Sequence, residues 1–172
     1  MLLETRRLRL RPHRLEDFDA SAALWADAGV TRHIGGRPSN REEAWRRLLG
    51  YAGHWSLTGY GFWVVEEKST GAFAGEIGFG DFKREMEPAL DAAAEGGWVI
   101  APHAQGKGYA TESVTAALAW VDERFRWFRT GCVIEPENAA SIRVAHNCGY
   151  RDAGRARYKD QELLVFYRNR FG

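Results

Sequence analysis

The segment Gly97-Trp-Val-Ile-Ala-Pro-His-Ala-Gln-Gly-Lys-Gly-Tyr-Ala-Thr-Glu112 constrains this chain more than any other, because a short apolar run passes through a glycine-rich turn directly into an amphipathic helix. Gly106 and Gly108 carry no Cβ, so their backbone N–H groups can close on a ligand. The helix that follows adds the unpaired N–H groups and the positive dipole end of its first turn. Strand, glycine turn and helix N-terminus together form a backbone cradle for an anion, and a diphosphate suits it. The helix places Ala110, Val114, Ala117, Leu118, Val121 and Phe125 in an i, i+4, i+7, i+8 stripe, which predicts packing on a sheet.

The 172-residue length and 45% apolar content predict one domain over residues 1–172 with a sizeable core. Twenty-four basic against twenty-three acidic residues leave a net charge of +1, so no general electrostatic attraction to nucleic acid or an anionic membrane is expected. The start Met-Leu-Leu-Glu-Thr-Arg-Arg is charged too early for a signal peptide, and no apolar run approaches the roughly 20 residues of a membrane span. A soluble, cytoplasmic protein is the expectation. Cys132 and Cys148 lack metal-ligand spacing and read as free buried thiols, and no metal is expected.

Period-two alternation predicts a first strand at Arg7–Arg11, ended by Pro12. Leu15–Ala28 reads as a helix with Phe18, Ala22 and Trp25 on one face, and Asn40-Arg-Glu-Glu43 is a capping box that opens a second helix through His54. Tyr60–Glu66 and Ala72–Phe82 form a hairpin about a turn at residues 68–71, Lys83–Ala94 is a loop, and strand four runs from Glu95 to Ala101. Thr130–Glu135 is strand five, Asn138–Cys148 a short helix stopped by Gly149, and the tail alternates as two more strands.

Gln105-Gly-Lys-Gly-Tyr-Ala110 fits three phosphate-binding patterns unequally. A Walker A loop needs glycine where Ala101 stands and Ser or Thr where Gly108 stands; a dinucleotide fingerprint needs glycine at Thr111 and an early βαβ unit. The third pattern, Gln/Arg-x-x-Gly-x-Gly/Ala, is met by Gln105, Gly108 and Ala110. Pro136-Glu-Asn138-Ala-Ala-Ser141 and Gly149-Tyr150 follow it. With these elements the chain resembles the GNAT superfamily of acetyl-CoA-dependent N-acetyltransferases over Glu95–Arg155. With Leu3-Glu-Thr-Arg-Arg-Leu-Arg-Leu-Arg-Pro12 it is most similar to the ribosomal-protein N-acetyltransferase branch.

The resemblance implies an α/β fold: a mixed, mostly antiparallel seven-stranded sheet with helices on both faces, splayed between strands four and five. It assigns Gln105, Gly106, Lys107, Gly108, Tyr109, Ala110 and Thr111 to coenzyme A, Val99 and Ile100 to the pantetheine arm, and Asn138 to the cofactor end of the later helix. Acetyl transfer to an amine needs a base, and the resemblance points to Glu95, with Glu76 on the preceding strand as the alternative. The tyrosine that many members carry seven residues after the helix asparagine is Ala145 here, which leaves Ser141 as candidate acid. Trp25, Trp45 and Trp55 are candidates for the acceptor pocket; His103 and His146 receive no role. The implied acceptor is a protein N-terminus, a peptide or a small amine, and a homodimer is allowed. A catalytically idle acyl-CoA sensor is the alternative from another class, kept open by Ala145; a P-loop phosphotransferase is the third.

Overall fold

The computed structural model describes residues 1–170. Its strands are β1 (Leu3–Glu4), β2 (Leu8–Pro12), β3 (Phe62–Glu67), β4 (Phe73–Gly80), β5 (Met86–Glu87), β6 (Glu95–Ile100), β7 (Arg129–Ile134), β8 (Arg151–Tyr158) and β9 (Gln161–Asn169). The helices are α1 (Phe18–Ala26), α2 (Ala28–Thr31), α3 (Arg41–Thr58), α4 (Tyr109–Phe125) and α5 (Ala139–Asn147). The nine strands form one sheet in the order β1-β2-β3-β4-β6-β7-β9-β8-β5, antiparallel except at β6–β7. The seven long strands are those expected from the sequence. The two extra ones are two residues each, and β5 lies inside the expected loop, where Met86 and Glu87 pair with Tyr158 and Arg157.

One sheet face carries the main core. Leu8 and Leu10 of β2, Trp63 and Val65 of β3, and Ile77 and Phe79 of β4 alternate onto it and meet the α4 stripe, of which Val114, Ala117, Leu118 and Val121 are buried. Each such side chain contributes about 1.5–3 kcal/mol on leaving water. Trp55 joins this core edge-on to Trp63, at 4.8 Å between ring centroids, and its indole N–H donates to the Phe62 carbonyl. This candidate for the acceptor pocket is therefore packed against the main core. The opposite face receives α1, α2 and α3.

Local signals held with adjustments. The Asn40–Glu43 capping box is formed reciprocally, and α3 continues past His54 to Gly59, whose φ of 77° ends it. The helix expected over Leu15–Ala28 begins as a 3-10 turn and breaks at Asp27, which turns extended and caps α2 by accepting the Val30 N–H at 2.9 Å. Arg11 is not on a wet face: its guanidinium is buried against Asp17 and Glu66. Among the described residues, no helix is long and apolar enough to cross a membrane.

Gly78 of β4 faces Phe62 of β3 with no room for a side chain. A Cβ there would stand 2.3 Å from the Gly61 carbonyl oxygen and 2.4 Å from the Phe62 Cα, both rigid backbone. Gly78→Ala is expected to lower stability by about 2 kcal/mol or more in urea unfolding. An unchanged midpoint would mean that the two strands separate there at no cost.

Candidate active site

The strands β6 and β7 share a single register pair, Glu95 with Gly131, and then part. The Gly131 N–H donates to the Ala94 carbonyl, so the parallel ladder begins, but it is not continued toward the ends of the strands. On its other side β6 stays paired with β4 as far as Ile100, and the Ala101 N–H donates to the Ala74 carbonyl. Antiparallel alternation therefore turns the main chain of Glu95, Gly97 and Val99 to β4 and that of Trp98 and Ile100 to the opening. The Ile100 carbonyl is taken by the Gln105 side-chain amide at 3.0 Å. The Trp98 and Ile100 N–H groups are left at the open edge. Ile100 thus borders the split, whereas Val99, expected along the same arm, is turned from it: its main chain pairs with Glu76 and its side chain packs with Leu24, Trp25, Val30 and Ala101.

Buried atoms also mark the opening. Trp98 Nε1 is buried without a hydrogen-bond partner among the described residues, and the buried Thr130 Oγ1 and Tyr150 hydroxyl have no partner apart from each other. Tyr150 is wholly enclosed, with its oxygen 3.0 Å from where a Cβ of Gly96 would stand. A buried polar group left unpaired costs about 1–3 kcal/mol.

The glycine turn lies at the end of β6. Gly106 and Gly108 take φ of 74° and 78°, which only glycine adopts without strain. No side chain caps the helix at Gly108, so the first N–H groups of α4 remain available. The acidic residue of that first turn is neutralised: Glu112 accepts from the Thr5 hydroxyl and from the backbone N–H and Nε of Arg7. Burial works against its charge, but those bonds hold its carboxyl below the usual range. Arg7 Nη2 reaches within 3.5 Å of a notional Gly108 Cβ, and Lys107 is half exposed beside it. Backbone donors, a helix end and two cations therefore fit a diphosphate. Arg7 was missed in the sequence because only the pairing of distant segments brings it here. Ala110 lies in the first turn of α4, the Thr111 carbonyl accepts from the Cys148 thiol, and the buried Tyr109 side chain is turned away, its hydroxyl donating to Glu67.

Glu95 begins β6 at the single paired position. Both its oxygens accept from Arg84, Nε at 2.7 Å and Nη2 at 2.9 Å. Glu76 lies on the same face of β4 but is fully enclosed; it accepts from the Ser21 hydroxyl at 2.6 Å and Trp25 Nε1 at 2.8 Å and pairs with His13 Nε2 at 3.1 Å. Burial opposes its charge, yet His13, Ser21 and Trp25 prevail and keep its carboxyl below the usual range. It ties α1 and the end of β2 to the sheet. At α5, Asn138 caps the helix by accepting the Ser141 N–H at 3.1 Å, and the half-buried Ser141 hydroxyl makes no hydrogen bond to the described residues. Ala145 is fully buried. His103 bonds the Phe73 carbonyl and His146 pairs with Asp152, both outside the split. Cys132 and Cys148 are free and buried, which pushes both thiols up.

The sequence model of the acetyltransferase (GNAT) domain matches residues 7–151. An acetyltransferase from Agrobacterium tumefaciens str. C58 superposes with a TM-score of 0.85 at 26% identity, covering 98% of this chain and 94% of that one. The fold is also that of the ribosomal L7/L12 alpha-N-protein acetyltransferase RimL in complex with coenzyme A, at TM-score 0.79 and 17% identity over 98% of both chains. Spermidine N-acetyltransferase from Vibrio cholerae, in complex with CoA and spermine, shares it at TM-score 0.75 and 19% identity over 97% of this chain and 98% of that one.

Because the Glu76 carboxyl is lowered, the stability it contributes is fully present above the ordinary value of 4.5 and is lost as the pH falls through its folded value. His13→Ala removes one partner of a buried charge and is expected to cost about 3 kcal/mol at pH 7. The deficit should narrow as the pH falls below 4.5, where a protonated Glu76 no longer needs the partner. Denaturant unfolding at several pH values checks this; a pH-independent deficit would reduce His13 to a packing role.

Proposed function

Since the chain belongs to the GNAT acetyltransferase family, we propose that it moves an acetyl group from acetyl-CoA directly to a primary amine. The observation that carries this reading is the parting of β6 and β7 beside the glycine cradle. When bound, acetyl-CoA supplies the thioester-activated acyl group. The chain's own residues supply the rest. The N–H groups of residues 106–111, with Lys107 and Arg7, hold the diphosphate. The Trp98 and Ile100 N–H groups stand where an extended arm can bond as a strand would, and where a donor can meet a developing oxyanion. Glu95 takes the proton of the incoming ammonium, and Ser141, whose hydroxyl is not needed by the helix cap, offers a proton to the departing thiolate.

Glu95 is preferred over Glu76 as base because Glu76 is sealed by three donors, whereas Glu95 lies at the edge of the split. The acceptor is an amine of the kind the fold relatives are named for, a protein N-terminus or a polyamine. A panel of amines and N-terminal peptides with acetyl-CoA tests the reading, turnover of at least one acceptor being expected. Coenzyme A binding with no turnover across the panel would leave an acyl-CoA sensor instead.

Gly108→Val puts a β-branched side chain at positive φ in the cradle. It is expected to abolish the ligand-induced melting shift, which at a hundredfold excess over Kd corresponds to about 2.7 kcal/mol in the unaltered protein. A folded variant that keeps the full shift would place the diphosphate elsewhere. Glu95→Gln should slow turnover about 10²–10⁴-fold with coenzyme A affinity retained, and the defect should shrink at high pH, where free amine is abundant. Unaltered turnover at neutral pH would remove Glu95 from the chemistry.

A further inference from the structure

The guanidinium of Arg84 fills a small box. Beneath it lies Glu95, which it engages at both oxygens. Its Cζ stands 5.0 Å from the ring centroid of Phe82 and 5.0 Å from that of Tyr158. The three walls come from separate places: Glu95 starts β6, Phe82 follows β4, and Tyr158 ends β8, where its pairing with Met86 fixes the loop that carries Arg84. Gly80 pairs with Glu95 across the sheet, and a Cβ at Gly80 would strike the Phe82 ring at 2.6 Å, so the ring has its place because that residue is glycine.

An anion flanked by aromatic faces binds a cation through charge and ring quadrupole together. The Glu95 side chain is only 9% exposed while that of Arg84 is 28% exposed, so the anion is fixed below and the cation is the part open to water. We infer that this box is the ammonium subsite for the acceptor and that Arg84 is an internal occupant, displaced when a cationic amine enters. The inference rests on the reading of Glu95 as base, because a carboxylate that accepts from a guanidinium at both oxygens is a poorer acceptor for the ammonium proton until the guanidinium leaves. Exchange of one cation for another keeps the charge of the box unchanged. Affinity for the acceptor is then reduced by the fraction of time that Arg84 is in place. The substrate class follows: an amine protonated in water, without a carboxylate next to the nitrogen.

The test uses n-butylammonium as probe and calorimetric binding as readout, with no acetyl transfer involved. Arg84→Ala is expected to bind it at least tenfold more tightly than the unaltered protein, and the gain is expected to vanish in the Arg84→Ala, Glu95→Gln double variant. Potassium should gain less than the probe, since it makes poorer use of the rings. Arg84→Met, which keeps a side-chain stem between the rings, stands in if Arg84→Ala melts below the assay temperature. No gain, a gain that survives Glu95→Gln, or an equal gain for potassium would overturn the inference and make Arg84–Glu95 a fixed structural pair. Because turnover is not read, such a result leaves acetyl transfer standing, and an inactive amine panel leaves this measurement unaffected.

Discussion

The site depends on one failure of pairing. β6 is bonded along its whole length to β4 on one side, while β7 joins it on the other at a single position. Parallel strands joined by a crossover helix normally share a continuous ladder. Here the helix α4 and the turn before it sit at the end of β6, and β7 takes its ladder from β9 instead, with six paired positions from Arg129 to Ile134. A strand edge open inside a sheet is costly unless something bonds to it. In the proposed function an extended, amide-bearing guest bonds to this edge, and the helix end beside it takes the guest's anionic charge.

The face opposite the main core carries two carboxylates with different surroundings. Glu76 is locked in place by donors from α1 and from the residue after β2, and thereby sets where those elements stand. Glu95 is held by one cation from a loop. Rings link the two along the sheet: Tyr51 stacks on Phe62 at 4.5 Å, and Phe62 approaches Phe82 at 6.1 Å. This line of rings lies on glycines, since Gly97 leaves room for Phe62 and Gly80 for Phe82. The wall on the proposed acceptor side is therefore built from rings over bare backbone, anchored at its inner end by a buried charge.

What the sequence made legible was local. The glycine cradle, the capping box at Asn40, the Asn138 cap with its Ser141 N–H, and the long strands each depend on residues close together in the chain. What it concealed was set by docking of distant segments. Arg7 reaches the cradle from 101 positions away, as its bond to Gly108's neighbour helix residue Glu112 requires. Glu76 reads as an alternative base on the strand before Glu95, yet it is buried because partners from residues 13, 21 and 25 converge on it. Arg84 lies in a stretch that reads as a polar loop, and only the fold shows that it sits on the proposed base. Trp55 reads as a candidate for the acceptor pocket, and only the fold shows that it packs edge-on to Trp63 in the main core.

The most direct measurement is amide hydrogen exchange, residue by residue, with and without coenzyme A. If the split is the cofactor slot, exchange should slow at Trp98 and Ile100, whose N–H groups face the opening, and across residues 106–111 at the start of α4, while the β4-bonded amides of Gly97 and Val99 change little. Uniform protection of the whole sheet, or protection confined to another surface, would contradict the assignment of the split and the cradle as one binding site.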